Sequence, residues 1–362
     1  GDNKMKKKLV GMLATATLLT MALAGNVQAA EIRSVGPDGE AAVDASTIEL
    51  TDDQIAQIKE GGYTAAICLH YGGNDWSTSQ QKGLEDTFGE LGIEIVAVTD
   101  ANFSAETQVS NIETVMAKKP DILVSIPTDA TATADAYKQA AAAGIKIVFM
   151  DQRANGLEAG KDYVSVVSAD NYGNGYASGT VLGDALGGKG KVAMVYYDAN
   201  FAPTNQRDEG FRDAMKNYPD IEIVTEQGFT DESGCAEQGD AILTQFPNID
   251  GIYASWDVPM EGVLSAVRAA GMEGKVTLAC NDLGNNVARE IASGNIAGGG
   301  AQMPYDQGVA EAKLAALALL GEETPSYVAV PAETVTHENV LEAYTDVYHV
   351  ETPDWLKEAY VD

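Results

Sequence analysis

Ten polar or ring-bearing residues fall just beyond short runs of aliphatic and β-branched residues. They are His70, Asn74 and Trp76 in HYGGNDW, Asp151 and Gln152 in MDQR, Asn205 and Arg207 in NQRDEGF, Trp256 in SWDVP, Asp282 in NDLG and Gln302 in AQMP. The set combines carboxylates (Asp151, Asp282), carboxamides (Asn74, Gln152, Asn205, Gln302) and indoles (Trp76, Trp256). Carboxylates accept short, strong hydrogen bonds, and carboxamides both donate and accept. A solute carrying many hydroxyls needs that mixture, and its C–H face packs on an indole. The chemistry indicated is recognition of a small polyhydroxyl ligand. His70 with Asp151 has the makings of an acid–base couple, but a hydrogen bond from His70 to a ligand hydroxyl is the simpler role. Asp129, Asp170 with Asn171, and Asp257 open helical stretches and read as caps.

Competing chemistries find little support. Gly183-Asp-Ala-Leu-Gly-Gly188-Lys189 approaches a phosphate-binding loop, but Gly190 replaces the hydroxyl residue and the run precedes a strand. His70, His337 and His349 are too scattered for a zinc site. Asp198-Ala-Asn200 begins like a calcium loop, but Ala202 fills the next ligand position. Gly-x-Ser-x-Gly and paired nucleophile–base patterns are missing. The expectation is a binding protein without cofactor, metal or catalytic group.

Elements must carry these residues to one place. Strand-like runs read Thr64–His70, Ile93–Val98, Ile122–Ser125, Ile145–Met150 and Tyr163–Ser168. A second series reads Lys191–Tyr197, Ile221–Glu226, Gly251–Ser255, Val276–Cys280 and Ile296–Gln302, and Tyr327–Pro331 is a final strand. Helical periodicity fills the gaps, and Gly92, Gly144 and Gly271 stand where helix C-caps belong. Two runs of five strands alternating with helices predict an α/β fold of two doubly wound parallel-sheet lobes. In such sheets ligands bind beyond the carboxyl ends of the strands, where the ten residues lie. Residues 30–62 are acidic, lack strand runs and hold one short capped helix over Thr51–Lys59. In the tail after Glu338, Tyr344, Tyr348 and Trp355 have the spacing of packing residues. Cys68 and Cys280 sit in buried strands, Cys235 begins a helix at a position open to exposure, and no disulfide framework is expected.

The N-terminus has its own pattern. Lys4, Lys6, Lys7 and Lys8 precede an apolar run from Leu9 to Gly25, and Val27-Gln28-Ala29 supplies small residues before Ala30. That is the layout of a cleaved export signal over residues 1–29. Asn26 stands where a lipoprotein has its acylated cysteine, so the mature protein is expected free in the periplasm. The formal net charge of −31 becomes more negative once four lysines leave with the signal. Such a surface repels nucleic acid and anionic lipid.

The runs IPTDATATADAYKQAAAAGIKIVFMDQ, YVSVVSADNYGNG, NQRDEGF, GIYASWDVPMEG and AQMPYDQG together resemble type I periplasmic sugar-binding proteins, the ribose-binding-protein family, from Tyr63 to Pro331. The resemblance implies the solute-binding subunit of an ABC importer, a monomer that hands its ligand to a permease in the inner membrane. A chemotaxis or sensor subunit is the alternative reading, and an enzyme on the same fold a weaker one. It also implies a three-segment hinge near Ser168, Gln302 and Tyr327–Pro331, with residues 63–168 and 303–328 in lobe 1 and 169–302 and 329–362 in lobe 2. Asp151, Asp282 and Gln302 match the family's sugar-binding positions, and Asn74 and Trp76 fall in its first loop. Gln152 and Asn205 replace its two arginines, with Arg207 two positions on, and Trp256 replaces an asparagine. Loss of two bidentate donors and gain of a ring argue against ribose. The wording of HYGGNDW, DANF and SWDVP is more similar to the sugar-alcohol branch, whose ligands include xylitol, threitol and erythritol.

Overall fold

The computed structural model describes residues 31–362; the export-signal reading lies outside the described residues. Strand β1 (Val43–Asp44) leads through a short 3-10 turn to α1 (Asp52–Gly61). Then come β2 (Thr64–Leu69), α2 (Asp75–Glu90), β3 (Glu94–Asp100), α3 (Ala105–Ala117), β4 (Ile122–Ser125), α4 (Ala134–Ala142), β5 (Lys146–Met150) and β6 (Ser165–Ala169). The second series is α5 (Asn171–Ala185), β7 (Lys189–Tyr197), α6 (Ala202–Met215), β8 (Asp220–Phe229), α7 (Cys235–Gln245), β9 (Gly251–Ala254), α8 (Asp257–Ala269), β10 (Thr277–Cys280), α9 (Asn285–Ala292) and β11 (Gly298–Ala301). The chain ends with α10 (Pro304–Leu319), β12 (Tyr327–Val330), β13 (Glu333–Thr336), α11 (Val340–Tyr348) and α12 (Asp354–Ala359).

Two sheets result, in the orders β1-β12-β6-β5-β4-β2-β3 and β13-β11-β10-β9-β7-β8. Every pairing is parallel except β11 with β13. Central strands such as β4, β6 and β9 are buried along their whole length, because helices cover both faces; this is why they read as unbroken apolar runs. The chain passes between the sheets three times, after β6, after β11 and after β12. Local signals set the helix ends. Thr51 caps α1 in a reciprocal capping box with Gln54, and Gly92, Gly144 and Gly271 take the left-handed conformation that ends a helix.

Two expectations need correction, and the open placement of Cys235 is settled. Residues 30–62 contain a strand after all: β1, only two residues long, finds its partners in β12 rather than in its own pattern. Strand β13 follows β12 after a two-residue switch of sheets and closes the edge of the second sheet, a non-local pairing that periodicity did not reveal. Cys235 is fully buried beneath α8, not exposed, and all three thiols are free. The segment from Glu31 also ties the lobes at the first crossing. Asp170 caps α5 and accepts from Ser34 Oγ at 2.7 Å, while Asp38 pairs with Arg153 at 2.7 Å. In the tail, Tyr344 packs on Tyr348 and Trp355 at ring distances of 4.6 and 5.5 Å.

The lobes repeat one helix crossing. In lobe 1, Gly83 of α2 lies against Tyr305 of α10, and Gly308 of α10 against Gln80 of α2. In lobe 2, Gly210 of α6 lies against Tyr172 of α5, and Gly175 of α5 against Arg207 of α6. A Cβ at any of these glycines would fall within 2.3 Å of a backbone carbonyl oxygen. Only glycine lets the backbones approach so closely. The crossing fixes Gln80 and Arg207, the sixth residues of α2 and α6, at matching places beneath the strand ends.

Candidate functional site

The carboxyl ends of both sheets face each other across one cavity with about 430 Å³ of empty space. Eight of the ten residues singled out from sequence line it: His70, Asn74, Trp76 and Asp151 from lobe 1, and Arg207, Trp256, Asp282 and Gln302 from lobe 2 or the crossing strand. Asp151 directly follows β5 and Asp282 stands just beyond the end of β10; both have positive φ, 58° and 72°. An L-residue with a side chain is strained there, and aspartate tolerates it better than most.

Asp151 Oδ1 accepts from Ser168 Oγ at 3.0 Å, Ala169 N at 3.3 Å and Gln307 Nε2 at 3.3 Å. Its other oxygen has no donor among the described residues. Burial pushes this carboxyl above the usual range; the Arg207 guanidinium and the three donors pull it part of the way back. Asp282 Oδ1 accepts from Gln302 Nε2 at 2.6 Å, and its Oδ2 pairs with Arg207 Nη1 at 3.4 Å. Arg207 also donates to Asn171 Oδ1 and to the carbonyl of Ser255.

Rings form the rest of the wall. Tyr71 stacks on Phe103 at 4.2 Å and His70 on Phe201 at 5.6 Å; the latter pair joins the lobes. Trp256 meets Tyr197 edge-on at 5.6 Å and donates from Nε1 to Glu232. Trp76 donates across the cleft to Gln302 Oε1 at 3.1 Å. His70 is packed among Tyr71, Trp76, Phe103 and Phe201, and this burial drops its pKa to about 3. It is a neutral imidazole and makes no hydrogen bond to Asp151, so the acid–base couple is not formed.

Two candidates stand elsewhere. Gln152 is committed to the protein: Nε2 donates to the carbonyl of Pro127 at 2.8 Å, and Oε1 accepts from Ala202 N of the other lobe at 3.1 Å. It bridges lobes instead of lining the cavity. Asn205 lies on the exposed face of α6, because that helix turns Thr204 and Arg207 inward. Asn74 has two roles, since it also caps α2 by accepting from Ser77 N, and its amide contacts the Tyr71 hydroxyl. Asp257 is the first residue of α8, and Trp256 occupies the cap position. Sequence reasoning passed over Tyr71, Phe103, Tyr197, Phe201 and Thr204. The four rings end or closely follow strands, so the same edge rule applied to rings, not only to polar groups, finds them; Thr204 lies in the first turn of α6.

These lobes, crossings and facing strand ends define a two-lobed binding protein. The chain belongs to the family described as periplasmic binding protein domain, which matches residues 65–323. It is 29% identical over 273 residues to the D-ribose/D-allose-binding protein of Pseudomonas aeruginosa, covering 72% of this chain and 83% of that one. An ABC transporter periplasmic solute binding protein from Actinobacillus succinogenes, solved with bound D-allose, is 29% identical with a TM-score of 0.71, covering 77% of this chain and 99% of that one. A solute binding protein from Agrobacterium vitis, bound with α-D-tagatopyranose, is 26% identical with a TM-score of 0.73, covering 81% of this chain and 100% of that one.

Proposed function

We propose that this protein is the periplasmic solute-binding subunit of an ABC importer and closes its lobes over a small polyhydroxyl ligand. The observation that carries this reading is the pair Asp151 and Asp282, presented from opposite sheets into one ring-walled cavity. A hydroxyl donates to the free oxygen of Asp151, and the cavity's rings take the C–H faces. The lobes meet through Asp75 with Asn285 N at 2.7 Å, Trp76 with Gln302, and Gln152 with Ala202. Those are contacts that hinge opening breaks and closure around a ligand makes, the domain motion by which periplasmic binding proteins enclose a solute. An acyclic sugar alcohol such as xylitol, threitol or erythritol is the leading ligand class, with a pentose or hexose next. A single guanidinium in the cavity, already paired with Asp282, and two indoles favour a neutral solute. The partners are that solute and a permease, and residues 1–29 are removed on export.

A thermal-shift screen of erythritol, threitol, xylitol, allitol, D-allose, D-tagatose and D-ribose tests the ligand class. A solute at a thousand times its dissociation constant raises stability by about 4 kcal/mol. A polyol is expected to give the largest shift. A strong shift with ribose and none with any polyol overturns the polyol assignment; no shift with any member overturns the polyhydroxyl reading itself.

A further inference from the structure

We propose that Glu311 is a neutral carboxylic acid whose proton completes a buried chain from Gln80 through Glu311 and Gln307 to Asp151, which makes it a positioning residue for the solute-binding carboxylate. The inference deepens the proposed function and rests on it only for the role of Asp151.

Gln80 of α2 and Gln307 and Glu311 of α10 are all fully buried. Gln307 Nε2 donates to the Val167 carbonyl at 2.9 Å and to Asp151 Oδ1 at 3.3 Å. Both partners only accept, so the amide cannot be turned round: its nitrogen must face them and its Oε1 must face away. Gln80 Nε2 donates to Glu311 Oε1 at 2.5 Å. With an ionised Glu311, three buried acceptors have no donor: Gln80 Oε1, Gln307 Oε1 and Glu311 Oε2. Buried polar atoms are seldom left this way, because their desolvation is then uncompensated. The Gln307 side chain abuts the Glu311 carboxyl. One proton on Oε2, donated to Gln307 Oε1, satisfies two of the three.

Two acids sit close together here, and the surroundings decide which of them is charged. Asp151 receives three donors and faces Arg207, whereas Glu311 forms no ion pair among the described residues. The anion therefore belongs to Asp151 and the proton to Glu311. Burial and the neighbouring Asp151 charge push Glu311 well above the carboxylate range, against a smaller downward pull from the Gln80 and Gln307 amides. Asp151 is the charged group facing it from the sheet, and α2 presents the uncharged Gln80. Lobe 2 supports the assignment by contrast. At the positions of α6 and α5 that match Gln80 and Glu311 stand Arg207 and Ser178, so the counterpart of Glu311 is a hydroxyl and not an acid.

The test starts without ligand. The infrared difference spectrum of wild type minus Glu311→Gln, at neutral pH, should contain the carbonyl band of a protonated carboxylic acid. Calorimetric titration with the strongest solute of the screen follows. Glu311→Gln keeps the chain, accepting from Gln80 and donating to Gln307, so its affinity should stay near wild type and be flat toward alkaline pH. Wild type should lose affinity as the pH rises through the Glu311 titration, and Glu311→Leu should lose about tenfold or more at neutral pH. Absence of the acid band, or a Glu311→Gln defect as large as that of Glu311→Leu, overturns the proposal. If no solute binds, the functional reading fails and the infrared band still decides the state of Glu311.

Discussion

The two lobes present the same residue at the same place and support it in opposite ways. Asp151 and Asp282 each stand past the carboxyl end of a strand at positive φ, above a helix pair crossed at two glycines. Beneath Asp282 stands a guanidinium; beneath Asp151 stand two amides and a buried acid. Asp282 is therefore compensated within its own lobe, whether or not the cleft is closed. Asp151 keeps an oxygen with no protein partner among the described residues, and its charge is offset by Arg207 from the other lobe and by three hydrogen bonds, not by a cation of its own lobe. The lesson is a division of labour. Lobe 2 offers a preformed ion pair with Gln302 latched to it, and lobe 1 offers a buried acceptor with one oxygen left open to the cavity, the place where the proposed solute would complete its interactions.

The largest effects should come from dismantling the two supports. Arg207→Met leaves Asp282 buried without its cation and should destabilise the protein by about 3–5 kcal/mol in denaturant titration. Its lobe 1 counterpart, Gln80→Met, removes a neutral donor and should cost only about 1–3 kcal/mol. Equal losses would abolish the distinction between the supports. Binding should show the reverse asymmetry. Asp151→Ala should leave the fold intact and cost on the order of 2–3 kcal/mol of affinity, since a charged acceptor is lost to the ligand. Near-normal affinity in that variant would move the binding site away from lobe 1.

A pH scan separates the lobes more gently. His70 is neutral in the fold, with its pKa at about 3 instead of 6.5. The unfolded chain thus binds the extra proton between those values, and stability falls as pH drops from 6.5 toward 3. The slope contributed by this one group is about 1.4 kcal/mol per pH unit, and a His70→Phe variant should lack it. If the variant's acid profile matches wild type, His70 is not buried neutral.

Much of this arrangement was legible in the sequence. Strand–helix alternation and continuous apolar strands pointed to two parallel-sheet lobes, and the rule that ligands sit beyond strand ends picked eight residues that share the cavity. What escaped was set by long-range pairing or by helix phase. Strand β1 exists because β12 offers it an edge, and two residues carry no periodicity. Cys235 is hidden because Gly262 lets α8 come close, which no local pattern announces. Asn205 and Arg207 differ by two positions on one helix, about 200° around its axis, so only one can face the cleft. The Gln80–Gln307–Glu311 cluster spans two distant helices, and only the glycine crossing brings it together.

The smallest expected effect gives the finest test of how the lobes cooperate. Gln152 and Asn205 look equivalent in the sequence, as amides standing in place of two arginines. Gln152 holds Pro127 on its own lobe and Ala202 N on the other, whereas Asn205 is exposed and makes no side-chain hydrogen bond among the described residues. Gln152→Ala removes an interlobe hydrogen bond worth about 1 kcal/mol, a bond present only when the cleft is shut. That loss should appear mostly as faster solute release in stopped-flow measurements, by roughly fivefold, with association little changed. Asn205→Ala should change neither rate. If both variants slow association instead, the amides act on the entering solute. If Asn205→Ala alone speeds release, α6 turns a different face to the cleft in solution, and the contrast between the two lobes would have to be redrawn from Arg207 outward.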